Sequence, residues 1–161
     1  MNPLMILIGL AAILFVALIA KAMAGPPGVN ACNTASGCHD GSRVGRVAET
    51  ALAQPYLLVS KGTTAGKHVI ACAATGAVPL GFALDEAAAG EPVAVAMGYG
   101  STVFGMASAA IAADVPVYTA ADGELTSTGG AGKYLVGRSV TAASGDGVAF
   151  ELQPCFPVLQ A

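Results

Sequence analysis

The sequence predicts a mainly β protein, in which a small β-barrel or β-sandwich domain follows one N-terminal hydrophobic α-helix. From residue 45 onward, short apolar runs alternate with Gly-, Pro- and Asp-containing turns, a spacing typical of small all-β domains. Residues 1–20 contain no charged side chain. This segment is long enough for a helix that crosses a bilayer. We therefore divide the chain into a hydrophobic helix (1–24), a linker (25–44) and a β domain (45–161).

The composition favours a protein that is covered by partners. Charged residues make up 11% of the 161 residues, against about 25% in an average soluble domain. A surface with so little charge is poorly soluble by itself, so we expect copies of the chain or another protein to cover much of it. The net charge of −3, with no run of Lys and Arg, argues against direct nucleic-acid binding.

The hydrophobic helix begins near Pro3 and ends at a Gly-Pro-Pro-Gly break at residues 25–28. Proline is tolerated at a helix start and, like glycine, ends a helix elsewhere. We expect this segment to act as an anchor or tether. Its large apolar side chains are Leu4, Ile6, Leu7, Ile8, Leu10, Ile13, Leu14, Phe15 and Leu18.

Three interpretations of this helix are open. It is a membrane anchor, a secretory signal peptide, or a helix buried in a bundle or groove of a larger protein assembly. Residues 22–24 resemble a signal-peptide cleavage site, but no Lys or Arg precedes the apolar run, as a signal peptide requires. If the helix is an anchor, Lys21, Arg43 and Arg46 favour the C-terminal side as cytoplasmic.

The linker contains Cys32 and Cys38, separated by five residues. This spacing allows a small disulfide loop, an intermolecular bridge, two free thiols, or metal ligation together with His39. It does not fit the C-x-x-C-H haem attachment motif or a zinc-knuckle pattern. Cys72 lies in a predicted strand, where we expect it to be a small buried hydrophobic side chain.

The β domain contains nine predicted strands and one short predicted helix, at residues 107–112. Turn signals such as Lys61-Gly62 and Asp122-Gly123 separate most of the strands. The strands are predicted at residues 46–49, 56–60, 69–73, 80–84, 93–97, 102–106, 115–119, 134–140 and 148–152. Residues 81–95 and 137–150 repeat one pattern of strand, small-residue turn and strand, which suggests internal pseudo-symmetry.

Sequence motifs for catalysis are missing. Residues 62–68 resemble a phosphate-binding loop, but three residues separate the glycines and His68 follows the lysine, which breaks the Walker pattern. No nucleophile elbow exists, and Asp85 and Glu86 would point to opposite faces of a strand. We therefore expect a protein that is not an enzyme and has no cofactor or metal site.

The β domain resembles the phage capsid cement or decoration proteins, some of which carry an older label as predicted phage recombinases. The resemblance spans about residues 53–152. The segments that carry it are residues 59–62 with Gly66, residues 79–95, Gly100, residues 110–118, residues 122–123 and residues 134–138.

The resemblance implies a β-tulip or small-barrel fold and a structural role in the virion. Such proteins sit on the capsid surface, often as trimers, and bind and stabilise the shell of the major capsid protein. Residues 85–91 and 99–104 are candidate contacts with the coat. The hydrophobic N-terminus is atypical, and residues 1–20 would lie in an internal membrane or in the shell. The alternative is a single-pass, membrane-anchored envelope or pilin-like β protein.

Overall fold

The computed structural model describes residues 43–64, 66, 68–97 and 101–161. The predicted N-terminal helix, linker residues 25–42 and both linker cysteines lie outside these residues, whereas linker residues 43 and 44 begin the first strand. The described strands are β1 (Arg43–Ala48), β2 (Leu58–Lys61), β3 (His68–Ala71), β4 (Pro79–Ala83), β5 (Pro92–Ala96), β6 (Val103–Ala107), β7 (Pro116–Thr119), β8 (Leu125–Thr126), β9 (Tyr134–Ser139) and β10 (Val148–Leu159). A 3-10 turn, Ala121–Gly123, precedes β8.

The ten strands form two closed barrels of five strands each. Barrel 1 has the strand order β1-β3-β2-β4-β5, and barrel 2 has the order β10-β6-β8-β7-β9. The prediction of a mainly β barrel protein is confirmed, but the prediction of a single barrel is corrected to two. The physical reason is that β5 returns to pair with β1, and β10 with β6, so each half of the chain closes on itself.

Both barrels have the same topology. In each, the first strand runs parallel to the third and antiparallel to the fifth, with Ala48 opposite Val69 in barrel 1 and Ala107 opposite Leu125 in barrel 2. An isolated bridge follows the first strand of each, Leu52 to Ala87 and Ile111 to Ala143. The two similar hairpins in the sequence are β4–β5 and β9–β10, which occupy equivalent places.

All nine predicted strands are present. The ends of eight are displaced by up to three residues, whereas β10 continues to Leu159, seven residues past its predicted end. The two-residue strand β8 was missed because it is too short to show alternation. The predicted helix at residues 107–112 is wrong: Ala107 ends β6, and Ile111 exchanges backbone hydrogen bonds of 3.0 and 2.8 Å with Ala143. Burial of Ile111 in the core, at 2% exposure, outweighs the helix propensity of its alanine neighbours.

The two barrels share a hydrophobic cluster. Barrel 1 contributes Leu58, Cys72 and Phe82, which pack with Leu125 and Phe150 of barrel 2. Polar contacts reinforce this packing, since the N–H of Gly123 donates to the Cys72 carbonyl at 2.8 Å. The described residues accordingly belong to one compact unit.

Two polar features of the core depend on this arrangement. The hydroxyl of the fully buried Thr119 donates to the Ala74 carbonyl at 2.6 Å and accepts from the Tyr134 N–H at 3.0 Å. It therefore joins β7 and β9 to the connection after β3. Cys72 is a free, fully buried thiol, as predicted, and burial raises its pKa to about 11.

Candidate interaction surface

Six large apolar side chains are exposed within the described part of the chain. Three of them, Phe156, Val158 and Leu159, lie in the C-terminal half of β10, and Phe156 is 74% exposed. We call these three the β10 apolar surface.

The length of β10 explains why these side chains are exposed. Residues 148–152 pair with β6, and Leu152 lies opposite Val103, the first residue of β6. Among the described residues, β10 beyond that point pairs with β9 alone, with a register shift between Pro154 and Val158. Because prolines lack an N–H, Pro154 and Pro157 disfavour the addition of another strand at the open edge. The C-terminal half of β10 therefore offers side chains to a partner.

The cleft beneath this surface is small. It lies between β4 of barrel 1 and the C-terminal half of β10, with a volume of about 20 Å³, roughly the space for one water molecule. Cys155 lines it as an exposed free thiol whose pKa is raised by partial burial. A cleft of this size has no room for a cofactor.

The turn before the second strand of each barrel contains a residue with positive φ. In barrel 1 this is Tyr56 (φ 64°), whose ring contacts that of Phe104 with centroids 5.4 Å apart. In barrel 2 it is Asp114 (φ 61°), which pairs with Arg138. The hydrogen bond and charge of Arg138 lower the pKa of Asp114.

A basic cavity lies on barrel 1. Arg46, Lys61 and His68 line it together with Gly66 and Leu80, and its volume is about 390 Å³. Strand register brings these residues together, because Val47 is opposite His68 and Lys61 is opposite Val69. The sequence did not reveal this cluster, since Arg46 lies 15 residues before Lys61 and the basic residues meet only through the pairing of three strands.

An acidic group lies on barrel 2. Burial, followed by the charges of Asp146 and Asp122, raises the pKa of Glu124. Among the described residues, no set of His, Cys, Asp and Glu side chains is arranged to hold a metal ion. These carboxylates repel one another because they carry like charges.

The candidate coat contacts lie in two places in the chain. Residues 85–91 form the connection between β4 and β5, where a Glu91 carboxylate oxygen accepts from the Ala88 N–H at 3.0 Å. Phe104 is half exposed, whereas residues 98–100 lie outside the described residues. The tether side chains and Cys32 and Cys38 lie outside them as well. Within the described ranges, no helix is both long and apolar enough to cross a membrane.

The sequence missed the β10 apolar surface. Its only signal was the run of apolar residues around Pro154 and Pro157, and prolines argue against a strand. The structure accommodates the apolar run and the two prolines because the C-terminal half of β10 extends beyond the residues that pair with β6. An exposed aromatic beside aliphatic side chains is typical of protein-binding surfaces.

Two fused small barrels with an exposed apolar surface define the fold and the candidate contact surface of this β protein. The chain matches the family model described as phage cement protein over residues 49–153. It therefore belongs to the phage cement protein family, and it is a structural component of a phage capsid. A search of curated proteins finds no match.

The fold is similar to that of a solved phage protein, the head fiber gp8.5 N base of bacteriophage phi29. The TM-score is 0.58 at 18% sequence identity, and the alignment covers 74% of this chain and 98% of that one. At this identity the likeness concerns the fold, and it extends over both barrels.

Proposed function

We propose that this protein is a cement protein that binds the major capsid protein on the capsid surface and stabilises the shell. The observation that carries the proposal is the β10 apolar surface on a chain of the cement family. The role is structural rather than catalytic. The likeness of the fold to the base of a head fiber supports a domain that sits on a phage head.

The β10 apolar surface has the composition that a stable contact needs. A specific protein interface buries about 1,600 Å² in total, and a few central aromatic or apolar anchors contribute most of its free energy. Phe156, at 74% exposure, is the largest such anchor, and Val158 and Leu159 flank it. The low overall charge of the chain favours additional contacts, and we propose that these form a homotrimer.

We further propose that residues 1–24 tether the domain to the particle through residues 25–44. The helix would lie either in an internal bilayer or in the protein shell. A bridge between Cys32 and Cys38 would stiffen this linker in an oxidising setting such as an extracellular particle. These proposals rest on the sequence of the N-terminal segment.

Binding to emptied or cement-free particles tests the role of the β10 apolar surface. We expect the double variant Phe156→Ser/Val158→Ser to bind at least ~10-fold more weakly, a loss of about 1.4 kcal/mol, and to leave particles that lose DNA at a lower temperature. Binding is measured by co-sedimentation of the full chain with particles, and DNA release with an intercalating dye.

Val140→Ser is the matched control, because Val140 is a 46% exposed valine outside this surface. Unfolding of each variant by urea verifies that stability changes by less than about 0.5 kcal/mol, as for most surface substitutions. Equal binding by the double variant and the wild-type chain would exclude the β10 apolar surface as the contact with the shell.

A further inference from the structure

The basic cavity of barrel 1 has an equivalent place in barrel 2, because the two barrels share one topology. Arg46 and Gly105 are equivalent in the first strands, since each lies two residues before the alanine that pairs with the third strand. Lys61 and Thr119 are equivalent in the second strands, since each pairs with the third-strand residue that this alanine faces. The surroundings of Gly105 and Thr119 therefore show how the fold uses this place a second time.

In barrel 2 this place is covered by barrel 1. The hydroxyl of the fully buried Thr119 donates to the carbonyl of Ala74, in the connection between β3 and β4, at 2.6 Å. A Cβ atom built on Gly105 would lie 3.6 Å from the ring of Phe82 in β4. The fold thus uses this part of barrel 2 as a site where another barrel docks.

In barrel 1 the same place is a cavity lined by charged side chains. The cavity has a volume of about 390 Å³, many times that of a water molecule, about 30 Å³. Among the residues that line it, Lys61 is exposed and Arg46 is half-buried. The cavity therefore has room for several side chains of another molecule, and two cations would face them.

These two cations differ from the third basic residue of the cavity. His68 interacts electrostatically with Glu49, whose carboxylate also accepts hydrogen bonds from residues 63–64. In contrast, no carboxylate of the described residues forms an ion pair with Arg46 or Lys61. Arg46 donates instead to a neighbouring backbone carbonyl at 3.2 Å. A carboxylate for Arg46 and Lys61 is therefore best supplied by another molecule.

A second copy that repeated the contact between the barrels would not supply this carboxylate. Such a copy would present barrel 2 to the cavity, and the barrel 2 residue equivalent to Phe82 is Arg138, which also follows the glycine of the fourth strand. Arg138 forms an ion pair with Asp114. This pair brings a further cation and a carboxylate that is already engaged, so the charges favour a different protein as the occupant.

We infer that the barrel 1 cavity binds a carboxylate-bearing segment of the major capsid protein, held by Arg46 and Lys61. The inference rests on the proposed function, and it adds a charged contact to the β10 apolar surface. A guanidinium holds a carboxylate through two parallel hydrogen bonds, and an ammonium adds a compact positive charge. Complementary charge mainly sets partner choice and register, which an apolar surface leaves less strictly defined.

Charge reversal in the full chain tests the inference by co-sedimentation with cement-free particles. We expect Arg46→Glu/Lys61→Glu to bind at least ~10-fold more weakly than the wild-type chain, because like charges would meet at the contact. The difference should shrink in high salt, since the Debye length falls from about 10 Å at 0.1 M to about 3 Å at 1 M. Damage to the fold would persist at both salt concentrations. Lys61→Glu alone, at an exposed position, is expected to weaken binding in the same direction.

Lys133→Glu/Arg138→Glu is the matched control. It changes the net charge by the same amount as Arg46→Glu/Lys61→Glu, and neither residue lines the cavity. We expect it to bind particles as the wild-type chain does. Urea unfolding of all variants shows that each one is folded under the conditions of the binding measurement.

Crosslinking identifies the occupant of the cavity. A carbodiimide joins a lysine amine to a carboxylate in contact with it, forming an amide while the reagent takes up the water. On particles that carry the wild-type chain, we expect mass spectrometry to find Lys61 joined to an Asp or Glu of the major capsid protein. Lys61→Arg keeps the charge, so it is expected to bind particles and to lose this crosslink.

Two results would overturn the inference. In one, Arg46→Glu/Lys61→Glu binds particles as tightly as the wild-type chain at low salt. In the other, Lys61 is crosslinked to a carboxylate of a second copy instead of the major capsid protein. Either result leaves the proposed function standing as long as the wild-type chain binds particles, whereas a wild-type chain that does not bind refutes the proposed function itself.

Discussion

Gly81 in β4 and Gly137 in β9 occupy the same position in the two barrels, in the fourth strand of each. A Cβ atom built on Gly81 would lie 2.4 Å from the carbonyl oxygen of Ala96, and one on Gly137 would lie 2.5 Å from that of Gln153. Both oxygens belong to the backbone of the neighbouring fifth strand. The fourth and fifth strands therefore approach so closely that each barrel requires a glycine at this point.

We expect Gly81→Ala and Gly137→Ala each to lower the free energy of unfolding by about 1–3 kcal/mol, since backbone must shift to admit the methyl group. Gly45→Ala is the matched control, because Gly45 is a strand glycine with no atom within 4 Å of an added Cβ. Its effect is expected to be below about 1 kcal/mol. Urea denaturation measures all three, and equal costs at the three sites would refute the close-approach argument.

At the residue scale, the sequence predicted which side chains are buried better than it predicted which residues those side chains contact. Cys72 was expected to be a buried hydrophobic side chain, and it is fully buried. The hydroxyl of Thr119 was not singled out, because its two partners, Ala74 and Tyr134, are distant in sequence. A local pattern indicates which face of a strand is apolar, whereas the partner of a buried polar group depends on which strands become neighbours.

At the scale of elements, most strands were visible in the sequence because turn residues separate short apolar runs. The C-terminal half of β10 was not, since Pro154 and Pro157 break the usual strand signal. The structure places these prolines beyond Val103, the first residue of β6, where β9 is the one described strand that pairs with β10. The candidate surface thus depends on a difference in strand length that the local sequence pattern does not contain.

The N-terminal segment leads to a prediction at the same scale. We expect deletion of residues 1–24 to leave a folded β domain. The two hydrophobic clusters of the described residues are built from side chains between residues 44 and 152. The truncated chain is expected to dissociate from particles on washing, since it lacks the proposed tether. Far-ultraviolet circular dichroism and co-sedimentation measure the two effects; truncated protein that stays on particles as well as the full chain would disprove the tether.

At the scale of the whole molecule, the two barrels are joined by a common core. Phe82 of barrel 1 is 3% exposed and packs in one cluster with Leu125 and Phe150 of barrel 2. A shared core couples the two barrels energetically, since opening either one exposes apolar surface of both. The domain is therefore expected to unfold in one cooperative transition.

Phe82→Ala tests this coupling. We expect it to lower stability by about 3–5 kcal/mol, the usual cost of removing a buried phenylalanine, and to shift the whole thermal transition. Val140→Ala, at a 46% exposed position, serves as the control and should have a small effect. Calorimetry that resolves two transitions, with one unaffected by Phe82→Ala, would show that the barrels unfold independently.

The sequence by itself determined the class of fold, nearly all the strands, the internal similarity of residues 81–95 and 137–150, and the resemblance to the cement family. These features follow from local patterns of turn and apolar residues. The tertiary structure alone decided that the strands close into two barrels and that Arg46, Lys61 and His68 line one cavity. The physical reason is that strand partners and register are chosen by long-range pairing and core packing, which bring together residues that no short segment contains.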